Sequence, residues 1–582
     1  MKTKSATLLA FSVCLATLAS AIPLNTELNP LEPRKECENT ATSRGCWGNY
    51  SIDTDWYETV PNTGVTREYW LSVTNKTMAL DGYRRQQVLS FNGTVPGPLI
   101  WGNWGDNMVI HVTNNMENNG TSIHWHGMRQ MGSGEFDGVP GVTQCPIAPG
   151  DSYTYRFQAT QYGSTWYHSH FITQYGDGLQ GPMIINGPAT ANYDEDLGML
   201  HLIDWSHIPV SFLWNSAKHG GAPTLSTGLI NGTNTFNCTG SPDVNCIGGG
   251  KKWETVFEAG KKYRIRLING ATDGHFQFSI DGHSLTVIGM DLVPLVPYTT
   301  DSVNINMGQR YDVIVEANAV PTNYWLRAGW ISACAANRNP QDITGIVRYS
   351  SNSTSNPTSI NTVQPTRNCG DEPLQLLVPH LPMNVGNFSS SAVSRADVKF
   401  AFGDHFTWTI NSSTLFLDWK NPTMLRVHNT EKIFPTKYNV MPVEITAADP
   451  TWVIYVIQDL SGAGITHPIH LHGHDFWVIG QEAAKFDLET SNLNLINPPR
   501  RDVASLPGNG YLAMAFKKDN PGTWLMHCHI AWHASQGLAM QFVESESQIE
   551  ASISDPTLLN DTCTAWNSYT SRALYDQDDS GI

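Results

Sequence analysis

The sequence concentrates its histidines in four short clusters. Eleven of the 20 histidines lie in them, in the segments HWH (124–126), HSH (168–170), HPIHLHGH (467–474) and HCHIAWH (527–533). In an extended strand every second side chain points to the same face, so each His-x-His pair presents two imidazoles to one side. A single buried histidine is more often structural than a ligand, but four clusters with this spacing indicate a site for metal ions.

The tripeptide His527-Cys528-His529 adds a thiol to this pattern. Strand alternation predicts that His527 and His529 face one side and Cys528 the other. One strand would then supply ligands to two metal sites. We expect these sites to lie roughly 10–15 Å apart, from a rise of ~3.3 Å per residue plus the side-chain arms. Such an arrangement suits electron transfer from one site to the other.

The ligand types indicate copper rather than zinc. Zinc favours closed sites with four ligands, often with Cys-x-x-Cys pairs, and the sequence contains no such pair. Many imidazoles with a single thiolate suit copper. Cys528, His533 five residues later and Leu538 a further five residues later match the loop of a blue-copper site, with His467 as the candidate upstream ligand. Leu538 stands where an axial methionine often lies and cannot coordinate, which should raise the reduction potential.

Composition favours a folded, strand-rich protein of several domains. The chain has 582 residues, which is too many for one hydrophobic core, and 40% of them are hydrophobic. Its 49 glycines and 33 prolines suit a chain with many turns. The formal net charge of -17 argues against nucleic acid or an anionic membrane as a partner.

The N-terminus reads as a secretory signal. Two lysines precede a short apolar run that ends in Ala19-Ser20-Ala21, a small-x-small cleavage pattern. This run is too short for a transmembrane anchor, and no later stretch is long and apolar enough to span a bilayer. We therefore expect residues 1–21 to be removed and the protein to be secreted. Arg34-Lys35 is a weak signal for a second, propeptide cut.

Cysteines and glycosylation sequons agree with secretion. Of the 10 cysteines, Cys14 lies in the signal and Cys528 in the metal motif, which leaves eight that can form four disulfides. Asn-x-Ser/Thr sequons occur at Asn49, Asn75, Asn92, Asn119, Asn231, Asn237, Asn352, Asn387, Asn411 and Asn560. They predict N-glycans on the mature protein.

An internal repeat relates the two ends of the chain. IHWHG (123–127) resembles IHLHG (469–473), and GSTWYHSH (163–170) matches GTWLMHCH (522–529). The middle third has YWLRAGW (324–330) at the comparable place, without histidine. The repeat therefore predicts three related β-domains, of which the first and third hold the chemistry.

The predicted class is all-β, because short alternating strands between turns run through the chain and sustained helical periodicity is scarce. A stretch rich in Ser, Thr, Asn and Pro at 350–366 reads as an interdomain linker. We expect these segments: signal peptide 1–21, N-terminal arm 22–48, domain 1 at 49–190, domain 2 at 191–365, domain 3 at 366–545 and a C-terminal tail at 546–582.

The four motifs resemble the copper signatures of multicopper oxidases, and the nearest resemblance is to secreted laccases of ascomycete fungi. The resemblance covers nearly the whole mature chain. It implies three cupredoxin-like domains (Greek-key β-sandwiches) with four copper ions, one type 1 copper in domain 3 and a three-copper cluster between domains 1 and 3. The implied activity is that of a laccase, in which four one-electron oxidations of phenolic, diphenol-type substrates are coupled to reduction of O2 to two waters. The biological role would be lignin or phenol breakdown, or pigment synthesis.

The resemblance also implies the ligands, residue by residue. They are His467, Cys528 and His533 for the type 1 copper, His124 and His470 for the type 2 copper, and His126, His168, His529, His170, His472 and His527 for the type 3 pair. His474 matches no ligand position. The eight cluster ligands divide equally between the two halves of the chain, so they can meet only at an interface between domains.

Three further features follow from the resemblance, each with a simpler alternative. Asp137 resembles an acid that assists protonation near the cluster, or it is a turn residue before Gly138. Laccases often have a carboxylate near the donor that gives its electron to His533. Glu254 in KKWETVFEAG lies in roughly the corresponding segment, or it is a solvated acid on a strand edge. The final DSGI (579–582) resembles a plug in the channel toward the cluster, or it is a frayed tail.

The chain differs from some multicopper oxidases at one position near the cluster, and the resemblance also implies its disulfides. Some relatives carry an acid directly after HCHI, where this chain has Ala531, so proton delivery from that position is in doubt. The disulfides implied by the resemblance are Cys37–Cys46, Cys145–Cys563 and Cys334–Cys369, which leaves Cys238–Cys246 as a local loop closure.

Other functions remain as alternatives. An ascorbate oxidase, a bilirubin oxidase or a ferroxidase is the runner-up, although a ferroxidase needs acids near the type 1 ligands and the loops HASQGL and THPIH carry none. A copper carrier or a blue electron-transfer protein would not need an eight-histidine cluster. A zinc hydrolase conflicts with the ligand types. We expect a monomer that has phenols and O2 as its small-molecule partners and no membrane partner.

Overall fold

The computed structural model describes residues 37–389, 392–444, 451–573 and 577–582. The predicted signal peptide (1–21) and the weak cut signal at Arg34-Lys35 lie outside the described residues. The strands form three two-layered β-sandwiches and the helices of the described chain are few, so the predicted all-β class is confirmed. No helix in the described ranges is both long and apolar enough to cross a bilayer.

The first sandwich follows a small hairpin near the start of the described chain. Its strands are β1 (Cys46–Trp47), β2 (Tyr50–Ser51), β3 (Thr66–Met78), β4 (Arg85–Phe91), β5 (Ile100–Asn103), β6 (Asn107–Asn114), β7 (Ile123–His126), β8 (Ser152–Gln158), β9 (Gly163–Ser169) and β10 (Gln180–Asn186). One sheet has the order β4-β3-β6-β8 and the other β5-β10-β9-β7. In β6 every second side chain is buried, which is the pattern of a strand with one face on a core.

The second sandwich consists of a six-stranded and a five-stranded sheet. Its elements are β11 (Glu195–Trp205), α1 (Val210–Gly220), β12 (Thr227–Ile230), β13 (Trp253–Val256), β14 (Lys262–Asn269), β15 (Phe276–Ile280), β16 (Leu285–Met290), β17 (Val293–Thr300), β18 (Val303–Ile305), β19 (Arg310–Glu316), β20 (Asn323–Trp330) and β21 (Thr344–Arg348). The sheet orders are β12-β11-β14-β19-β16-β17 and β13-β21-β20-β15-β18.

The third sandwich repeats these sheet sizes and adds helices at its end. Its elements are β22 (Val393–Phe402), β23 (Phe406–Ile410), α2 (Thr423–His428), β24 (Val440–Val443), β25 (Trp452–Asp459), β26 (His467–Leu471), β27 (Phe476–Glu482), β28 (Arg500–Arg501), β29 (Val503–Leu506), β30 (Tyr511–Lys517), β31 (Gly522–Cys528), α3 (Ala531–Ser535), β32 (Ala539–Glu544), α4 (Glu546–Ser552) and α5 (Pro556–Thr570). The sheet orders are β23-β22-β25-β30-β27-β28 and β24-β32-β31-β26-β29.

Four disulfides fasten the described chain, and Cys528 is its free cysteine. The pairs are Cys37–Cys46, Cys145–Cys563, Cys238–Cys246 and Cys334–Cys369, as expected from the sequence. The Cys145–Cys563 bond joins helix α5 to the first sandwich across 418 residues of sequence. Helix α5 is therefore held against the domain that contains the first two histidine motifs.

Candidate metal centre

The pairing register of strands β26 and β31 sorts the histidines and the cysteine onto two faces of one sheet. His470 lies opposite His527, and Ile469 lies opposite Cys528. Directly opposed residues point to the same face, and neighbours along a strand point to opposite faces. His467 lies two residues before Ile469 on β26, so it points to the same face as Ile469 and Cys528. One pair of strands thus supplies two separate groups of metal-binding side chains.

The first group consists of His467, Cys528 and His533, and we call it the Cys528 group. The Sγ atom of Cys528 lies 3.7 Å from Nδ1 of His467 and 3.5 Å from Nδ1 of His533, and the two Nδ1 atoms are 3.1 Å apart. Trp408 on β23 covers the group, with its ring centroid 4.8 Å from each imidazole. Three donor atoms that converge so closely can hold one metal ion.

Leu538 shapes the loop that closes the Cys528 group. Its side chain is fully buried, and its backbone carbonyl accepts a hydrogen bond from the N–H of Cys528 at 3.0 Å. Its own N–H donates to the carbonyl of His533 at 2.9 Å. These two bonds fix the loop around helix α3, so an apolar leucine is held at the position predicted for a missing axial ligand.

The second group contains eight buried histidines, four from the first sandwich and four from the third. We call it the eight-histidine group: His124, His126, His168, His170, His470, His472, His527 and His529. The Nε2 atoms of His124 and His470 are 3.3 Å apart. The rings of His126 and His470 stack with centroids 3.9 Å apart, and the rings of His170 and His527 lie 5.2 Å apart. The interface predicted from the repeat therefore exists, and the two domains share one site.

Several ring nitrogens of this group have no hydrogen-bond partner among the described residues. They are both nitrogens of His170 and His529, and Nε2 of His126, His472 and His527. By contrast, Nδ1 of His527 donates to the carbonyl of Cys528 at 2.9 Å, which leaves Nε2 to face the centre. Buried polar groups are rarely left unpaired, so these nitrogens fit a role as metal ligands.

Asp137 contacts one histidine from each half of the eight-histidine group. Its Oδ2 atom accepts a hydrogen bond from Nδ1 of His472 at 2.8 Å, and its backbone carbonyl accepts one from Nδ1 of His124 at 2.9 Å. Gly138, which follows it, has a φ of +82°, so a turn is also present. The carboxylate thus orients ligand rings as well as beginning a turn, because a bond at Nδ1 leaves Nε2 free for a metal.

Asp502 is a site residue that no sequence motif marks. Its Oδ1 atom lies 3.2 Å from Nε2 of His126, and its backbone carbonyl accepts a hydrogen bond from Nδ1 of His470 at 2.8 Å. Arg310 of the second sandwich donates to it at 2.6 Å and also donates to the carbonyl of Ser164 at 3.3 Å. Arg310 therefore joins all three sandwiches at this site.

Burial controls the charge of the site. It lowers the pKa of each of the following histidines well below the ordinary value: His126, His168, His170, His470, His472, His529 and His533. Burial also lowers the pKa of His467 and His527 to about 4. The rings are therefore neutral near pH 7 and have an electron pair to give to a metal. Burial raises the pKa of the Cys528 thiol, so thiolate formation requires a bound cation.

Burial raises the pKa of the Asp502 carboxyl, whereas the nearby Arg310 guanidinium lowers it. Burial raises the pKa of Asp502 to about 7, and Arg310 keeps the increase smaller than burial alone would produce. Because the carboxyl also contacts His126, it is a group that can exchange a proton next to the eight-histidine group.

Two predicted residues lie elsewhere in the contact network. The carboxylate of Glu254, on β13, makes two hydrogen bonds to Arg348 on β21, at 2.7 and 2.8 Å. This bidentate pair gives the Glu254 carboxylate a partner on the neighbouring strand, and its role beside the donor at His533 stays a prediction. His474, which matched no ligand position, has its Nε2 3.0 Å from the Glu544 carboxylate. Burial lowers the pKa of His474, but the charge and the hydrogen bond of Glu544, together with the charge of Asp519, raise that pKa above the ordinary value.

The C-terminal tail is buried beside the eight-histidine group. Ile582 is 3% exposed and lines a cavity of about 20 Å³ together with His168, His170, His527 and His529. The carbonyl of Gly581 accepts a hydrogen bond from the Trp419 indole at 2.7 Å, and the N–H of Ser580 donates to the carbonyl of Ser535 at 2.9 Å. This position fits a plug and does not fit a frayed tail.

Family models and curated sequences identify relatives along the whole chain. Three family models, each described as multicopper oxidase, match residues 72–190, 196–352 and 416–548. The chain is 60% identical to Laccase-2 of Botryotinia fuckeliana over 585 aligned residues, which cover 100% of each chain. It is 40% identical to Laccase-2 of Podospora anserina, covering 95% of this chain and 91% of that protein.

Solved structures show the same similarity in three dimensions. A laccase from Botrytis aclada is 61% identical and superposes with a TM-score of 0.91, covering 94% of this chain and 100% of that chain. Fet3p, described as a multicopper oxidase that functions in iron import, is 27% identical with a TM-score of 0.76, covering 86% of this chain and 95% of that chain.

Proposed function

Because this chain belongs to the multicopper oxidase family, we propose that it is a laccase, a benzenediol:oxygen oxidoreductase. It would oxidise phenolic substrates one electron at a time and reduce O2 to two waters. The observation that supports this best is that strand β31 contributes Cys528 to one group and His527 to the other. A protein that only carried copper would not need a covalent link between two sites.

We propose four copper ions, held by the residues that the sequence resemblance implies. His467, Cys528 and His533 would hold the type 1 copper, and Leu538 would remain an axial non-ligand. The eight-histidine group would hold the type 2 copper through His124 and His470, and the type 3 pair through His126, His168 and His529 on one ion and His170, His472 and His527 on the other. Copper bound there would supply one-electron exchange and the binding of O2.

The residues of this chain have four tasks in that reaction. His533 retains 7% exposure, and its ring edge would take the electron from the donor. Strand β31 provides a short covalent path from Cys528 to the eight-histidine group. Asp137 orients His124 and His472 and would assist protonation near the cluster, and Asp502 can hold a proton beside His126. The buried tail limits the access of water, and Ala531 leaves the position after HCHI without an acid.

The proposed activity can be tested by measuring O2 uptake and its product. With a simple diphenol, the copper-loaded enzyme should consume one O2 for four donor oxidations and release water, and Cys528→Ser should show neither uptake nor oxidation. Peroxide as the main product would contradict a working three-copper cluster. The same assay with ascorbate, bilirubin and Fe²⁺ distinguishes a laccase from the other oxidases, because a laccase should favour the diphenols.

We also propose that the enzyme is a secreted, N-glycosylated monomer. The N-terminal pattern of residues 1–21, the four disulfides and the sequons support secretion and glycosylation. Its roles would be phenol or lignin breakdown or pigment synthesis. Mass spectrometry of protein from the culture medium tests this, because the mature N-terminus should follow Ala21 or the dibasic pair at 34–35.

A further inference from the structure

Ile172 separates the eight-histidine group from a large groove on the first sandwich. On its inner side lies the cavity of about 20 Å³ that is lined by His168, His170 and Ile582. On its outer side lies a groove of about 680 Å³ whose walls include Gln87. Ile172 lines both spaces, two residues beyond the second histidine of the HSH motif.

The backbone of Ile172 has a conformation that a β-branched residue rarely adopts. Its φ is +56°, in the left-handed region that favours glycine. Strained residues of this kind persist only where the surrounding structure holds them, and they are frequent at functional sites. A glycine at this position would be easier to accommodate, so the isoleucine side chain is maintained at a cost in backbone strain.

The residues on both sides of Ile172 are held by buried hydrogen bonds. The Ser169 hydroxyl accepts a hydrogen bond from the N–H of Phe171 at 3.2 Å and donates to Oε1 of Gln174 at 2.8 Å. The same Oε1 atom accepts a second bond from Thr121 at 2.9 Å. These bonds hold the backbone on both sides of Ile172, so its apolar side chain remains as the barrier that a rotation could open.

The inner cavity leaves little room beside that side chain. One water molecule needs roughly 10–15 Å³ of such cavity volume, and this cavity has about 20 Å³, which is room for a single small molecule. Ile582 closes the same cavity at the end of the tail. Because Ile172 forms the wall toward the groove, exchange between the groove and the histidines requires its side chain to rotate or be removed.

We propose that Ile172 is an access-controlling residue, which sets the rate at which small molecules pass between the outer groove and the eight-histidine group. This proposal rests on the proposed function for its natural cargo, O2 inward and water outward. The tail closes the inner cavity through Ile582, whereas the proposed barrier toward the groove is the strained side chain of Ile172.

The first experiment measures the association rate of inorganic azide with the copper-loaded enzyme by stopped-flow absorbance. Ile172→Gly and Ile172→Ala should each accelerate azide binding at least tenfold, and Ile172→Val should act in the same direction with a smaller effect. The KM for O2 should fall in step, while the KM for the diphenol stays unchanged. Gln87→Gly is the matched control, since Gln87 also has a positive φ of 58° and lines only the groove.

Backbone strain and side-chain volume can be separated within this series. Ile172→Gly removes both, so it should melt at a higher temperature than Ile172→Ala while admitting azide equally fast. Ile172→Val keeps β-branching and most of the volume, so it reports on the barrier even if the smaller variants fold poorly. Unchanged azide rates in all three variants would overturn the proposal.

A second experiment does not depend on copper. In the metal-free protein, the rate at which diethyl pyrocarbonate modifies His168 and His170 is measured by peptide mass spectrometry. The rate should rise at least severalfold in Ile172→Gly and stay unchanged in Gln87→Gly. If the wild type binds no azide or makes peroxide, the proposed function fails, but this rate still decides whether Ile172 is the barrier. Equal rates in wild type and Ile172→Gly would refute it.

Discussion

Cys528 and His527 are neighbours on strand β31, yet their side chains belong to different groups. The Sγ atom of Cys528 lies 3.5 Å from Nδ1 of His533, whereas the ring of His527 lies 5.4 Å from the ring of His472. The Nδ1 of His527 also donates to the carbonyl of Cys528 at 2.9 Å. Cys528 and His527 therefore connect the Cys528 group to the eight-histidine group in two ways, through the peptide backbone and through this hydrogen bond.

Replacing Cys528 with serine should remove the blue colour of the purified enzyme. A thiolate ligand is required for that absorption, and a serine hydroxyl does not replace it. The other coppers should stay bound, because the eight histidines are unchanged. Copper content and visible absorption check this: we expect about one copper fewer per chain and no blue band. A surviving blue band would disprove the assignment of Cys528.

Replacing Leu538 with methionine should lower the reduction potential of the type 1 copper. A thioether donates electron density to the oxidised metal, and the leucine cannot. Redox titration of the blue band measures the shift, and oxidation of high-potential phenols should slow with it. Leu538→Ile is the control, since it adds no donor atom and should leave the potential close to that of the wild type.

Replacing Asp137 with alanine should reduce turnover or copper retention by about 10–100-fold, the usual effect of removing a carboxylate that orients metal ligands. The side chain fixes the ring of His472. Copper content after dialysis and turnover with a diphenol are the measurements. The control is Asp81→Ala, which removes a buried contact to His207 at 2.7 Å outside both groups, and it should leave copper content unchanged.

Replacing Glu544 with glutamine should destabilise the enzyme at acidic pH by up to about 3–5 kcal/mol, because the charged His474 ring then lacks its buried partner. The pKa of His474 is raised by Glu544, so the pair stabilises the fold below a pH of about 6.5 and this stabilisation fades as pH rises through the folded-state pKa. Melting temperatures across this range test the trend. The exposed pair His428–Glu550 gives the control, because Glu550→Gln should cost at most about 1 kcal/mol.

The docking of the C-terminal tail should weaken as pH rises from about 4 to about 7. Burial raises the pKa of Asp579 to about 7. The folded state therefore holds a proton that the unfolded tail releases above about pH 4, so stability is lost as pH increases through this window, by at most about 4 kcal/mol. Limited proteolysis of the tail against pH measures it. Asp579→Asn should remove the pH dependence, whereas Asp561→Asn, at an exposed position on α5, should preserve it; a flat profile in the wild type would contradict the prediction.

The sequence by itself determined the ligand types and the all-β class. Cysteine and histidine identities limit the metal, and their alternation along a strand predicts that they face two sides of one sheet. Both properties are local, so residue type and spacing suffice. The interface between the first and third domains also followed, because the repeat divides the eight histidines equally between them.

Only the tertiary structure decided which distant side chains meet at the site. Asp502, Arg310 and Ile172 carry no motif, and their roles come from contacts made by separate strands and loops. Glu254 was predicted from its segment to lie beside the donor, and only the structure shows that its carboxylate pairs with Arg348. Contacts between residues far apart in sequence depend on how sheets pack and how loops close, and one-dimensional spacing holds no record of them.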